Sequence, residues 1–266
     1  MKIAIIGTGN LGKSIAKGLI KGQNFNSLYL TKRNVSELND LPKQENIIIT
    51  SDNSEAIQNS DVLIFAVQPK QLEEILFQSK EYISKEQLVI STITGFSIEK
   101  IENILGQGFS IIRAMPNTAI AVEKSMTCIS ANTNDTSKIT IAESIFNQLG
   151  NSMIIPENLM QAATVVCASG IAFWMRLIRA TTQAAIQLGF DAKEAQELAM
   201  FTSEGAANLL IQSGNHPEQE IDKVTTPKGC TIEGLNEMEH KGLSSSLIQG
   251  MVASFNKINT IKKEQI

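Results

Sequence analysis

The residues best spaced to do chemistry stand at the start of the chain, in Gly7-Thr8-Gly9-Asn10-Leu11-Gly12. Glycines at this spacing also recur by chance in loops, so their context decides their meaning. Here they follow the apolar run 3–6 and open the helical pattern 11–21, which makes a strand, a turn and a helix in succession. In that setting Gly7 permits the tight turn, Gly9 lets the backbone approach a pyrophosphate, and Gly12 allows close packing of helix on strand. The helix start adds free N–H groups and the positive end of its dipole. All six residues are therefore expected to hold a dinucleotide; the alternative is a tight turn that binds nothing. The next strand-like run, 28–31, leads into Thr31-Lys32-Arg33-Asn34. An acid at this point bonds a ribose 2′-hydroxyl, whereas a base accepts a 2′-phosphate. That tetrad has two cations and no acid. Lys32 and Arg33 are assigned to the phosphate and NADPH is expected over NADH, the alternative being a solvated basic loop.

A second constellation lies far along the chain, in Thr226-Pro227-Lys228-Gly229-Cys230-Thr231. A Pro-x-Gly turn leading into the helical pattern 232–240 presents unpaired N–H groups of Gly229, Cys230 and Thr231, an anion site of the helix-start kind. The alternative is that Thr226 and Thr231 only cap a helix, a position threonine favours. No metal is expected, because no His/Cys/Asp/Glu cluster has ligand spacing. The chain has two histidines, and His216 before Pro217 reads as a loop residue. Cys128, Cys167 and Cys230 are odd in number, far apart and in no CxxC pair, which argues against a disulfide framework and fits a reducing cytoplasm.

These residues need elements to carry them. With 266 residues, 42 % of them hydrophobic, the chain can bury a large core as one big domain or two ordinary ones. Up to about Pro156, short β-branched runs at 3–6, 28–31, 47–50, 62–67, 88–93, 110–113, 126–130 and 153–155 alternate with helical stretches. That is the pattern of βαβ units around a parallel sheet covered on both faces, a Rossmann-type doubly wound fold. Beyond Pro156 the segments 157–188, 192–212 and 243–261 carry Ala, Leu, Met and Gln in helical proportions, with a loop at 213–217. The expected division is a dinucleotide-binding domain over 1–156 and an all-helical domain over 157–266. The first helix of that second domain is apolar on most faces, with charges limited to Arg176 and Arg179 between Asn158 and Phe190. Such a helix is a buried one, and a second copy of the chain is expected to cover it; burial within its own domain is the alternative. The net charge of −4 and pI near 5.4 leave no footprint for nucleic acid or an anionic membrane. No stretch has about 20 uninterrupted apolar residues and no signal core opens the chain, so neither membrane insertion nor export is expected.

Further segments resemble the pyrroline-5-carboxylate reductase family, in the order in which that family has them. Ala66-Val67-Gln68-Pro69 is similar to its AVKP turn beside the cofactor, and Gly95 after Ile93-Thr94 to its small-residue turn under the nicotinamide. Asn53 matches an asparagine on the adenosine side. Arg113-Ala114-Met115-Pro116-Asn117-Thr118 resembles its R-x-M-P-N-T segment near the substrate. Most specific is His216-Pro217 followed by Val224 to Ile232 and Gly234-Leu235, which resembles the HP…VTSPGGTTI.GL signature. The chain departs from the pattern at Lys228, where the family has the first glycine of PGG, at Gln68, where lysine is usual, and at Ile171, where many members have proline.

The resemblance spans nearly the whole chain. It implies reduction of the cyclic imine Δ1-pyrroline-5-carboxylate to proline, by hydride transfer from the nicotinamide to the imine carbon. It places Asn53, Ala66, Val67, Gln68, Pro69, Thr94 and Gly95 at the cofactor, and Met115, Pro116, Asn117, Thr226, Gly229, Cys230 and Thr231 at the substrate. The Thr231 hydroxyl is implied to reach the ring nitrogen. The apolar helix that opens the second domain leads to the expectation of a homodimer, or a higher oligomer of dimers, through that domain. A β-hydroxyacid dehydrogenase would share the fold but place a catalytic lysine on the first long helix, and no lysine occurs between Asn158 and Ala192. A non-catalytic NADPH sensor would have no need of the 226–231 turn.

Overall fold

The computed structural model describes residues 1–264, with side chains up to Ile258; Gln265 and Ile266, the last of the expected helical domain, lie outside the described residues. It clusters into two compact units, Met1–Ser169 together with the residues from Ile258 on, and Gly170–Lys257. The division falls after Ser169, inside the stretch that opens the helical half.

The first unit runs β1 (Lys2–Ile6), α1 (Asn10–Gly22), β2 (Ser27–Thr31), β3 (Ile47–Thr50), α2 (Asn53–Gln58), β4 (Val62–Phe65), α3 (Pro69–Ser79), β5 (Leu88–Ser91), α4 (Ile98–Leu105), β6 (Ser110–Met115), β7 (Ser125–Ala131), α5 (Thr136–Asn147) and β8 (Gly150–Ile154). The strands form one eight-stranded sheet in the order β3-β2-β1-β4-β5-β6-β7-β8. Side chains alternate across it with the period of two that a strand imposes. One face sends Ile3, Ile5, Leu28, Leu30 and Ile64 against Ile15 and Leu19 of α1 and Phe146 of α5. The other sends Ala4, Ile6, Leu63, Phe65 and Val89 against Ile57, Leu72, Leu76 and Ile101 of α2 to α4. Burial on both faces explains the unbroken apolar runs, and each fully buried Ile or Leu is worth roughly 1.5–3 kcal/mol over an exposed one.

The sheet is not wholly parallel, and the expectation of βαβ units throughout is corrected at one place. β7 pairs antiparallel with β6, Met115 opposite Cys128 and Arg113 opposite Ser130, while every other pair is parallel. The physical reason is the connection. Between Met115 and Ser125 the chain has room for a 3₁₀ turn, Thr118–Val122, but not for a crossover helix.

The expected long helix over 157–188 is likewise not one regular helix. A 3₁₀ turn, Glu157–Leu159, leads to α6 (Met160–Ala163), a π-helical segment, Thr164–Ser169, and α7 (Gly170–Gln187). Within the π segment the Thr164 hydroxyl donates to the Met160 carbonyl at 2.8 Å, a side-chain bond that competes with the regular ladder. The chain continues with α8 (Ala192–Ser213), α9 (Pro217–Val224), α10 (Cys230–His240) and α11 (Leu243–Glu264). Its helix starts are well specified. Asp191 accepts from Lys193 and Glu194 N–H at 2.8 and 2.9 Å ahead of α8. His216 Nδ1 accepts from the Glu218 N–H at 3.3 Å ahead of α9, which gives this histidine the structural role read from the sequence.

Along α7 only Gly170 and Thr182 are buried, while Trp174 is 65 % exposed, and on α8 Phe201 is 67 % exposed. The stretch Glu157–Gln187 is also, among the described residues, long and apolar enough by length and composition to cross a membrane.

Candidate functional site

A cleft of about 730 Å³ opens in the first unit at the ends of β1, β2 and β4. Gly7, Thr8, Gly9, Lys32, Arg33, Asn53, Ala66, Val67 and Gln68 line it, which brings together most of the expected cofactor residues. It lies on the strand ends where open α/β sheets bind ligands.

Its floor is the glycine turn. Gly7 has φ +93, a conformation costly for any side chain, and a Cβ there would lie 2.3 Å from Val67 Cγ1. A Cβ on Gly12 would lie 2.4 Å from the Gly7 carbonyl oxygen, so α1 could not start so close to the turn. Gly9, by contrast, has open space around its Cβ position, room into which a ligand's phosphates could enter. The Gly7 N–H donates to Thr31 Oγ1 at 3.2 Å and the Thr8 N–H to the Thr31 carbonyl at 2.8 Å, tying the turn to the end of β2. Thr8 is fully buried, yet its hydroxyl has no hydrogen-bond partner. That hydroxyl has no exposed surface to offer a ligand, so the room for phosphates is the open space at Gly9 and the start of α1. No acidic residue lies in the first turn of α1, so nothing cancels its dipole. The residues present thus fit a dinucleotide.

Asn10 and Leu11 form the first turn of α1 and do not line the cleft; they bring backbone N–H groups rather than side chains. Pro69 is the first residue of α3, where its missing N–H costs nothing, and Gln68 caps that helix with its N–H on Gln71 Oε1 at 3.2 Å. Thr94 and Gly95 lie outside the cleft; Gly95 has φ +80 with open space around it, and the Thr94 hydroxyl meets Met115 Sδ at 3.7 Å.

At the end of the cleft beside β2 the structure adds what the tetrad 31–34 did not reveal. The 3₁₀ turn Val35–Leu38 returns Glu37 to the rim, where its carboxylate meets Lys32 Nζ at 2.6 Å. The ammonium beside it holds the Glu37 carboxyl below its ordinary range. Arg33 lines the same cleft and is exposed. Gln71, Glu74, Ile75 and Gln78 of α3 also line it; their common helical face was the only signal that could have pointed to them.

The expected substrate residues occur in two sets. In the first unit Met115 and Pro116 are buried at the end of β6. Asn117 is committed: Nδ2 donates to the Cys167 carbonyl at 3.2 Å, Oδ1 accepts from the Ala119 N–H at 3.0 Å, and its N–H donates to Ser125 Oγ at 3.0 Å. That Cys167 carbonyl belongs to the π segment, and such segments frequently stand at functional sites. Cys128 and Cys167 face each other with sulfurs 3.8 Å apart, beside Met115 and Met160. The hydrogen bond from Cys128 brings the Cys167 thiol down to about 7, against burial, while the same bond together with burial pushes Cys128 up. Arg113, within the segment that resembles the family's substrate loop, is a strut. It is buried, and its guanidinium pairs with Glu157 Oε1 at 3.0 Å, an oxygen that also accepts from the Ile98 N–H at 2.8 Å.

In the second unit Thr226, Gly229, Cys230 and Thr231 form the turn into α10. One expectation is corrected here. The Gly229 N–H is not free, since it donates to the Thr226 carbonyl at 2.9 Å and closes the turn. The remaining N–H groups of the helix start are those of Cys230 and Thr231. A Cβ on Gly229 would lie 2.3 Å from Thr226 Oγ1, which explains the glycine. Gly229 is the N-cap and receives no side-chain cap bond, so neither threonine caps α10. Lys228 adopts φ +60, the left-handed region where glycine is cheap.

Residues 157–261 match the family model of the pyrroline-5-carboxylate reductase dimerisation domain, and residues 2–95 match that of the NADP oxidoreductase, coenzyme F420-dependent, domain. Pyrroline-5-carboxylate reductase 1 of Dictyostelium discoideum is 44 % identical over 96 % of this chain, which spans about half (49 %) of that relative's length. Pyrroline-5-carboxylate reductase 2 of the same organism is 40 % identical over 96 % of this chain and 91 % of its own. The enzyme of Methanosarcina acetivorans is 33 % identical over 99 % and 98 %. Among solved structures, a pyrroline-5-carboxylate reductase from Coxiella burnetii superposes with a TM-score of 0.91 at 30 % identity over 97 % of both chains. The NADP-bound enzyme of Plasmodium falciparum shares the fold, with a TM-score of 0.86 at 24 % identity over 98 % of each. With full-length relatives at this identity, the chain belongs to the pyrroline-5-carboxylate reductase family.

Proposed function

We propose that this chain reduces the cyclic imine 1-pyrroline-5-carboxylate to L-proline, the last step of proline biosynthesis, with NADPH preferred over NADH. As a member of its family it is an NAD(P)H-dependent oxidoreductase acting on a C=N bond. The observation that carries the reading is the glycine cleft, with open space at Gly9 and the cations Lys32 and Arg33 at one end. When bound, the nicotinamide supplies the hydride that reduces the imine carbon.

The chain's own residues bind, orient and donate. The turn Gly7–Gly12 and the start of α1 take the pyrophosphate, Asn53 the adenosine side, and Arg33 with Lys32 the 2′-phosphate. The N–H groups of Cys230 and Thr231, at the positive end of α10, hold the substrate carboxylate. Met115 and Pro116 give the ring an apolar flank, and Asn117 positions that flank through its bond to Cys167. The Thr231 hydroxyl, which has no hydrogen-bond partner among the described residues, donates to the ring nitrogen. An imine must be protonated or hydrogen-bonded at nitrogen to accept hydride well, and its own basicity is near neutrality, so one positioned donor suffices. No metal-assisted step is needed.

The second part of this reading is a homodimer, or oligomer of dimers, through residues 157–266, with 1–156 as the dinucleotide domain. The match of 157–261 to a dimerisation family model, together with the exposure of Trp174 and Phe201, supports a protein interface over a membrane span, and with it a soluble, cytoplasmic protein. Steady-state kinetics with both cofactors tests the cofactor assignment. Arg33→Ala is expected to lower kcat/KM for NADPH about tenfold, the scale of one partly screened charge-assisted contact, and to leave NADH nearly unchanged. Equal losses would make Arg33 structural.

A further inference from the structure

We infer that Glu37 is a specificity-determining residue, which competes with a ligand's 2′-phosphate for Lys32 and so weakens that cation's share of a grip made with Arg33. The inference rests on the proposed cofactor reading and deepens it. Lys32 and Arg33 look alike in the sequence, two cations side by side, but the structure treats them differently. Lys32 Nζ is already 2.6 Å from a Glu37 oxygen. Glu37 is kept where it is from below: Lys13 of α1 donates to the Glu37 carbonyl oxygen at 3.2 Å and pairs with Asp40 at 2.5 Å, while Ser36 bonds the Asn34 side chain at 2.7 Å. The turn Val35–Leu38 is thereby fastened to α1, and Leu38 anchors it in the core.

Over Lys32, Arg33 and Glu37 the formal charge is +1, not the +2 that the tetrad alone suggests. A phosphate monoester near pH 7 carries about −1.5 to −2 charges and competes with Glu37 for the same ammonium. Both side chains are partly solvated, 23 % exposed for Lys32 and 54 % for Glu37, so the competition is sensitive to salt. A ligand with free ribose hydroxyls meets no such competition. Glu37 therefore narrows the margin between the two nicotinamide cofactors.

Calorimetric binding of 2′,5′-ADP and 5′-AMP to the intact chain separates the possibilities without turnover. Glu37→Gln is expected to tighten 2′,5′-ADP about tenfold at low ionic strength and to leave 5′-AMP within about twofold. The gain should vanish when Lys32→Met is added, because the released ammonium carries it. Equal changes for both nucleotides, no change, or a gain that survives without Lys32 would overturn the inference. Arg33→Ala measured alongside isolates the parent reading. If it weakens 2′,5′-ADP alone while Glu37→Gln is silent, the inference fails and the cofactor assignment stands. If it weakens both nucleotides equally, the phosphate assignment itself fails.

Discussion

The two compact units hold their apolar residues in opposite ways. In Met1–Ser169 the large side chains Phe65 and Phe146 are wholly buried, the inner strands β1, β4 and β5 are covered on both faces, and the sheet carries its own helices. In Gly170–Lys257 residues of the same kind, Trp174, Leu188, Phe201 and Ile211, are 65, 82, 67 and 77 % exposed. Two layers of helix and sheet can satisfy themselves; a few helices with apolar faces on both sides cannot. The first unit thus closes its own core, while the second leaves apolar side chains uncovered.

The sharpest way to break this contrast is a charge in the second unit. Phe201→Asp places an unpaired carboxylate on the face proposed to be covered, at a cost of about 3 kcal/mol or more, roughly a hundredfold in the dissociation constant of the assembly. Sedimentation at micromolar protein is expected to reveal monomer, with reductase activity lost, while nucleotide affinity of the first unit stays within about twofold. An unchanged assembly would mean that this face of α8 remains solvated.

The next effect is local. Thr231→Val keeps the shape of the α10 start and removes the donor. The expected loss in kcat is about tenfold to hundredfold, the lower end of what positioned donors contribute, because the imine can bind already protonated. NADPH affinity and assembly should be unchanged, and Thr231→Ser should keep much of the activity. A Val variant within twofold of the parent would assign the proton to water.

What could be read in advance was local, and what could not was brought together by folding. The glycine turn was legible because each glycine answers a demand made within six residues, on a strand and a helix whose patterns flank it. The sheet's composition was legible too, but the reversed β7 hung on a connection whose length, nine residues between Met115 and Ser125, was the available signal. Glu37 escaped because it lies six residues beyond β2 and reaches Lys32 through a 3₁₀ turn. The Gly229 N–H was expected to be free because helix starts leave such groups open, and a turn four residues long took it up. Nothing in a helical period announces a π segment, so the meeting of Cys128 and Cys167, 39 residues apart, was invisible.

That thiol pair gives the smallest effect, at the edge of the first unit. Since the Cys128 hydrogen bond brings Cys167 down to about 7, its alkylation by iodoacetamide should rise as pH climbs through about 7, below the ordinary thiol near 8.5. Protonated at lower pH, Cys167 should be inert. Cys128→Ala removes the donor and should return the midpoint upward; a midpoint above 8.5 in the parent would contradict the pairing.

The central claim is chemical and is tested by product. Purified chain, treated with chelator, is mixed with NADPH and the five-membered imine carboxylate, and both NADPH and proline are followed. The account predicts one proline formed for each NADPH consumed, with no need for added metal. NADPH oxidation that does not depend on the imine, or imine-dependent oxidation that yields no proline, would contradict it.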